Sequence, residues 1–530
     1  MGVHLRKVSI VTFAVGQVLI LGSLTKAQVV TTDLGKVKGQ TSDRVTSFKG
    51  IPFAAPPVGD LRWRPPQPAA GWKGVRDATQ YGHDCMQKPF PSDAAPLGTT
   101  PSEDCLVGNV WLPEHHADKL PILIWIYGGG WVNGGSSPAV YDGSKFAKQG
   151  ILLYSFNYRV GRFGFFAHPA LTAESRDGML GNYAFLDQIA AIKWIRKNAQ
   201  AFGGDPDNVT VFGESAGGWS VHMLMTSPLA SGLFQRAMVQ SGGGREIINA
   251  TGLREGLNGR PSAEQIGVAF AAGMGINGNG ATALHKLRAL PAESLVDDLN
   301  MATMQAHAST FPGPMIDGNT VVGRFDELYS EGKNQKVPML AGANNMDIGF
   351  AFGNTPEELF APFGSNAQAA RKAYDPSGSD DMAALRMAIG ADALMLEPAR
   401  FSLRVLAAQG LPVWEYRFSY VASSMRSQWG GAPHATEIPY VFDTVKEKYV
   451  SALSEEDGQI AMQANAYWSN FAKTGNPNGQ GLPAWPKYAP SSDILMNFTL
   501  SGPTAEPDAR KKQLDLTEAR AQQRSKAAKH

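Results

Sequence analysis

The chain has 530 residues, 48 basic and 47 acidic side chains, a formal charge of +1 and 43% hydrophobic residues. This balance leaves no basic field that would capture nucleic acid, and 18% charged residues is too few for a solvated disordered chain. The 58 glycines and 34 prolines follow no collagen-like period, so they describe a turn-rich globular protein, and a large α/β fold can hold this length as one domain.

The N-terminus reads as an address. Arg6 and Lys7 precede an apolar stretch from Val8 to Leu24, and Thr25-Lys26-Ala27 places small residues at −3 and −1 of a cleavage site. Residues 1–27 are therefore expected to be a cleaved signal peptide that delivers the chain to an extracellular or periplasmic space. An uncleaved anchor is the alternative, weakened by Ser9, Thr12 and Gln17. No second apolar run approaches that length, so no stable membrane insertion is expected after cleavage. Cys85 and Cys105 flank a segment rich in proline (Pro89, Pro91, Pro96, Pro101) and suit a bridged surface loop in an oxidising compartment. A bridge there adds about 3 kcal/mol in the chain-entropy picture. Two free thiols are the alternative. Two lone cysteines with no matched histidine pair do not make a zinc site.

Further along, apolar β-branched runs alternate with helical patterns. Pro121–Tyr127, Ile151–Phe156, Val209–Phe212, Ala237–Gln240, Val337–Ala341 and Val413–Phe418 read as buried strands. Between them, Phe185, Leu186, Ile189, Ile192 and Ile195 fall on one face of a helix expected from about Asn182 to Phe202, with Gly203-Gly204 as its stop. Such alternation predicts an α/β fold with a mostly parallel sheet covered on both faces, and ligands in such sheets sit at the carboxyl ends of the strands.

The chemistry gathers where strand meets turn. Val209–Phe212 runs into Gly213-Glu214-Ser215-Ala216-Gly217-Gly218, a G-x-S-x-G followed by a plausible helix from Trp219 to Met225. A serine held on a strained strand-to-helix turn tolerates only minimal neighbours, which explains the glycines. A hydroxyl needs a base to take its proton and donors to receive the charge that forms on the attacked carbonyl. Gly128-Gly129-Gly130 follows a buried strand and exposes backbone N–H groups suited to that second task. Among ten histidines, His434 lies in a loop after the last predicted strand, where chain order would place the base; His168, His222 and His307 compete with it.

Several ordered motifs now carry a resemblance. They are Phe48-Lys-Gly-Ile-Pro-Phe-Ala-Ala-Pro-Pro-Val-Gly-Asp-Leu-Arg62, Ser102-Glu-Asp-Cys-Leu106, Trp125-Ile-Tyr-Gly-Gly-Gly130, Asn157-Tyr-Arg-Val-Gly161, Gly213–Gly218, Gln240-Ser241-Gly242 and Trp468–Gly475. The chain resembles the type-B carboxylesterases of the cholinesterase-related α/β-hydrolases over almost all of its mature length. The resemblance implies an α/β-hydrolase fold and hydrolysis of small carboxylic esters through an acyl-enzyme. Ser215 would be the nucleophile, His434 the general base and acid, and the N–H groups of Gly129, Gly130 and Ala216 the oxyanion hole. Asp347 stands where the family usually has glutamate, with Glu437 and Asp443 as alternatives for the orienting acid. The family's first disulfide maps onto Cys85 and Cys105, and no metal or organic cofactor is implied. Relatives that bind without catalysis, and amide cleavage by the same triad, are the competing functions.

For the substrate, Trp131 and Trp219 are candidate walls of an apolar pocket, and Arg162 and Arg245 candidate attractors of an acidic ester. The catalytic domain is expected to span 28–504. Residues 505–530, with seven Lys/Arg and four acids, are expected to be a mobile polar tail.

Overall fold

A computed structural model describes residues 2, 26–90, 94–246 and 250–527. The expected signal peptide lies outside the described residues apart from Gly2 and from Lys26 and Ala27, which open the first strand.

The strands that organise the molecule are β1 (Lys26–Thr31), β2 (Lys36–Ser42), β3 (Val45–Pro52), β4 (Val107–Pro113), β5 (Leu120–Ile126) and β6 (Leu152–Phe156). They continue as β7 (Gly204–Glu214), β8 (Arg236–Gln240), β9 (Met339–Asn344), β10 (Val413–Phe418), β11 (Ile494–Thr499) and β12 (Gly502–Pro507). In space the order is β1-β2-β3-β4-β6-β5-β7-β8-β9-β10-β11-β12, with the short strand Val75–Asp77 beside β2. From β6 to β11 every pairing is parallel; the pairings at both ends are antiparallel except that of Val75–Asp77 with β2.

All six strands expected from the sequence are present, because each is largely buried and reads as a mainly apolar run, with β10 also burying Glu415 and Arg417. Helix α1 (Tyr183–Asn198) continues as a tighter turn to Phe202 and stops at Gly203, whose φ of 74° admits the left-handed cap. Helix α2 (Ala216–Thr226) follows β7 after one residue. Helices α4 (Glu397–Ala408) and α5 (Glu455–Thr474) pack on the main sheet, and α3 (Ala263–Gly273) belongs to a second apolar cluster. One apolar cluster reaches from Val30 to Leu514, so the core is shared by the sheet and the layers on it. Cys85 and Cys105 form the expected disulfide.

The C-terminus departs from expectation. Instead of a mobile tail from 505, β12 pairs with β11 through Pro507, and helix α6 (Lys511–Ala527) docks on the body. Its charges are consumed locally: Asp515 and Glu518 pair with fully buried Arg400 at 2.9 and 3.2 Å, while Leu514 and Thr517 are buried beneath it. Net composition looked solvated because the partners of these charges lie more than a hundred residues away.

Replacing Leu514 with alanine should lower stability by about 2–4 kcal/mol, read as an earlier urea midpoint with unchanged secondary structure. A free tail would leave the midpoint where it is.

Candidate active site

Ser215 is the single residue between β7 and α2 and adopts φ 55°, ψ −125°, a left-handed conformation that a side chain rarely takes. Its N–H donates to the Gln240 carbonyl at 2.9 Å, and its carbonyl accepts from the Trp219 N–H at 3.0 Å, so both ends of the turn are pinned. The flanking glycines are required by contact: a Cβ on Gly213 would lie 2.6 Å from the Gly217 backbone, and one on Gly217 would strike the Ile126 carbonyl.

The glycine loop begins where β5 ends. A Cβ on Gly128 would come within 2.7 Å of the Glu214 carbonyl and 2.9 Å of Ser215 Cβ, which puts this loop directly against the serine. Gly129 and Gly130 have φ of 99° and 62°. Ala216 opens α2, where N–H groups have no acceptor within the helix and the dipole is positive. Ala216 thus follows the serine directly, and Gly129 and Gly130 lie on the loop whose first glycine meets it.

His434 reaches the same place from its loop. Its Nδ1 lies 2.6 Å from Asp347 Oδ1, and its Nε2 lies 3.2 Å from Glu214 Oε1. Asp347 follows β9 and is held by donation from Ser241 Oγ at 2.6 Å and from the N–H groups of Asn344 at 3.1 Å and Ile348 at 2.8 Å. The shorter acid reaches because its loop is bridged to the histidine's loop, with the Met346 N–H donating to the Ala432 carbonyl at 3.1 Å. Among the described residues, no hydrogen bond joins Ser215 Oγ to His434; the Nε2 edge faces Glu214 instead. The other acids are engaged elsewhere: Glu437 accepts from Gln240 Nε2 at 3.1 Å and Asn344 Nδ2 at 2.8 Å, and Asp443 pairs with Lys145 at 2.7 Å.

Burial pulls the His434 pKa down, but the nearby carboxylates of Glu214, Asp347 and Glu437 outweigh it and push the group up to about 10. The Glu437 carboxyl is itself raised, first by burial and then by Asp347. Glu214, Ser241 and Glu437 were visible in the sequence, yet nothing there singled out Glu214 or Ser241 for a role at the imidazole.

The competing histidines are occupied. His222 Nδ1 contacts the Tyr329 hydroxyl at 2.7 Å, and burial drives its pKa down to about 4. His168 accepts from the Ala170 N–H at 3.2 Å, and His307 contacts Asp298 at 2.5 Å.

The two candidate arginines fare differently from expectation. Arg162 is 1% exposed and spends its donors on the carbonyls of Leu295 and Thr310, on Thr310 Oγ1 and on His307, at 2.9 to 3.2 Å. Arg245 makes a two-pronged pair with Glu397 at 2.5 and 2.7 Å and lies 3.8 Å over the Phe401 ring. Both arginines are internal struts, not attractors of an acidic ester. Trp131 and Trp219 are buried 6.1 Å apart, with their indole N–H groups donating to Ser220 Oγ at 3.3 Å and the Glu246 carbonyl at 2.9 Å. Trp131 also meets the rings of Phe165 and Phe185.

A profile of the carboxylesterase family matches residues 26–376 and 367–517. The chain is 36% identical to the para-nitrobenzyl esterase of Bacillus subtilis over 479 residues, covering 87% of this chain and 92% of that one. It is 35% identical to the fumonisin B1 esterase of Sphingopyxis macrogoltabida over 484 residues, covering 88% and 85%. Against carboxylesterase 1E of Mus musculus it is 33% identical over 540 residues, covering 91% of each. With matches over nearly its whole length and this sheet beneath them, the chain belongs to the carboxylesterase family, whose members are carboxylic ester hydrolases of the α/β-hydrolase fold.

Proposed function

We propose that this protein is an exported serine carboxylesterase that hydrolyses small carboxylic esters through an acyl-enzyme on Ser215. The observation that carries the reading is the Asp347–His434 contact at 2.6 Å beside a serine on a strained elbow, with the glycine loop in contact with that serine.

In this mechanism His434 takes the Ser215 proton at Nε2 as Oγ attacks the ester carbonyl. The carbonyl oxygen becomes negative and accepts from the N–H groups of Gly129, Gly130 and Ala216. His434 then gives its proton to the departing alcohol, and water, deprotonated by the same imidazole, releases the acid. Asp347 on Nδ1 fixes the tautomer and stabilises the imidazolium without taking the proton. Glu214 adds a second negative neighbour to that cation. Export is supported by the leader-like N-terminus and by the Cys85–Cys105 bridge, which persists in oxidising compartments. Among the described residues no helix is long and apolar enough to cross a membrane.

Ser215→Ala should lower kcat for a simple ester about 10⁴-fold or more, leaving a residue of rate from the oxyanion donors. Activity retained within tenfold would reject the assignment. Gly128→Ala, which forces a Cβ against Ser215, should cost about 100-fold in kcat while the protein still folds, checked by circular dichroism and steady-state kinetics.

The pH dependence has a definite sign. Hydrolysis needs neutral His434, and the carboxylates raise its pKa, so kcat/KM should climb with pH to a midpoint above the ordinary histidine range. Glu214→Gln removes a carboxylate 3.2 Å from Nε2 and should move that midpoint to lower pH. A midpoint that does not move would show that Glu214 does not act on the base.

A further inference from the structure

The direction of the Gly130 N–H is set by the carbonyl that shares its peptide plane. The Gly129 carbonyl accepts from the N–H groups of Val132 at 3.1 Å and Asn133 at 2.9 Å. A trans peptide is planar, with its N–H opposite its C=O, so these two bonds aim the Gly130 N–H away from residues 132 and 133. Gly134 packs on the same turn: a Cβ there would lie 2.6 Å from the Gly128 carbonyl, and one on Gly129 would strike the Asn133 carbonyl. Whatever holds Asn133 and Gly134 therefore holds the donor.

That anchor is Gln87. Its side chain is 6% exposed and serves both polar groups of one residue, donating from Nε2 to the Gly134 carbonyl at 2.6 Å and accepting at Oε1 from the Gly134 N–H at 2.9 Å. A buried peptide needs both partners, and a side-chain amide supplies a donor and an acceptor together. Asn133 Nδ2 donates to Gln87 Oε1 at 3.3 Å and to the Lys88 carbonyl at 2.7 Å, so both residues of the turn are tied to one short segment. Asp84 accepts from Ser137 Oγ, which extends the contact along residues 84–88 and 133–137. The segment is stapled in turn. Gln87 lies two residues after Cys85 and also donates from Nε2 to its carbonyl at 2.9 Å, while Cys85 is bridged to Cys105 just ahead of β4.

We propose that Gln87 is a positioning residue for ester hydrolysis. Through Asn133 and Gly134 it fixes the Gly129–Gly130 peptide so that the Gly130 N–H meets the negative oxygen of the transition state. The inference rests on the esterase reading above. Gln87 acts through main chain and not on the substrate, so its loss weakens an interaction that matters only once charge develops on the carbonyl oxygen.

Two substitutions test this. Gln87→Met keeps the length of the side chain and loses both hydrogen bonds; Gln87→Glu keeps an acceptor for the Gly134 N–H but sets a carboxylate oxygen against the Gly134 carbonyl. Each should lower kcat for para-nitrophenyl acetate about 100-fold, the scale on which a misplacement of about 1 Å acts, with KM within about twofold of wild type. Gln87→Met changes no charge and should leave the pH midpoint of kcat/KM in place. A trifluoromethyl ketone inhibitor separates positioning from simple loss of folded protein. Ser215 Oγ adds to its carbonyl carbon, the serine proton passes to His434, and the carbonyl electron pair comes to rest on the oxygen that the donors face. Its Ki should rise by the factor by which kcat/KM falls, whereas a smaller fraction of folded molecules would leave Ki unchanged. Circular dichroism checks folding. Should neither variant fold, Cys85→Ala with Cys105→Ala loosens the same segment from behind and should lower kcat and raise Ki in step. A folded Gln87 variant with kcat within about threefold of wild type, a Ki that stays put while kcat falls, or a shifted pH midpoint in Gln87→Met would overturn the proposal. A wild-type protein that neither hydrolyses the ester nor binds the ketone would instead refute the esterase reading, and the role of Gln87 with it.

Discussion

Close contact between backbones, permitted by glycine, is the constraint on which the site depends. β5, β7 and α2 approach one another so nearly that side chains at Gly128, Gly213 and Gly217 would overlap main chain or the nucleophile. Only in that arrangement can Ser215 be held at φ 55° with its amide pinned to Gln240 and its carbonyl to Trp219. Strain of this kind, on the order of 1–3 kcal/mol, persists because the buried sheet over-determines the turn.

Strand direction does the rest of the collecting. Because β5, β7, β8 and β9 are parallel neighbours, their carboxyl ends fall on one edge. The glycine loop leaves β5, Ser215 leaves β7, Ser241 leaves β8, and Asp347 follows β9. Four segments spread over more than two hundred residues of chain thus meet without any of them travelling far. The electrostatic consequence is a base surrounded by carboxylates. Glu214, Asp347 and Glu437 favour the imidazolium that the transition state needs, yet they also favour it at rest. Burial of Glu437, which raises its own pKa, moderates that field by favouring a neutral carboxyl there.

Much of this was legible in the sequence, for stated reasons. The parallel strands other than β11 announce themselves as largely apolar runs, α1 by its spacing and Gly203 stop, and the elbow by glycines that nothing else would require. What escaped has an equally physical cause. β1 and β2 carry many polar residues because they lie at an edge of the sheet and are only partly covered, so the apolar signal is weak. α6 reads as a solvated tail because its acids are matched by Arg400 and Arg404, far away in sequence. Arg162 and Arg245 look like exposed cations until Thr310, Leu295 and Glu397 are seen to accept from them. Side-chain partners across long separations are what a single sequence hides, and Glu214 and Ser241 matter only through such partners.

The central claim is that Ser215 becomes covalently acylated during turnover. Mixing the protein with a slowly deacylating para-nitrophenyl ester, quenching within the first turnover and mapping the peptides by mass spectrometry tests it directly. The account predicts a burst of nitrophenol close to one equivalent and an acyl mass increment located on Ser215. Turnover that starts linearly, with that peptide unmodified or the acyl group on another residue, would contradict it.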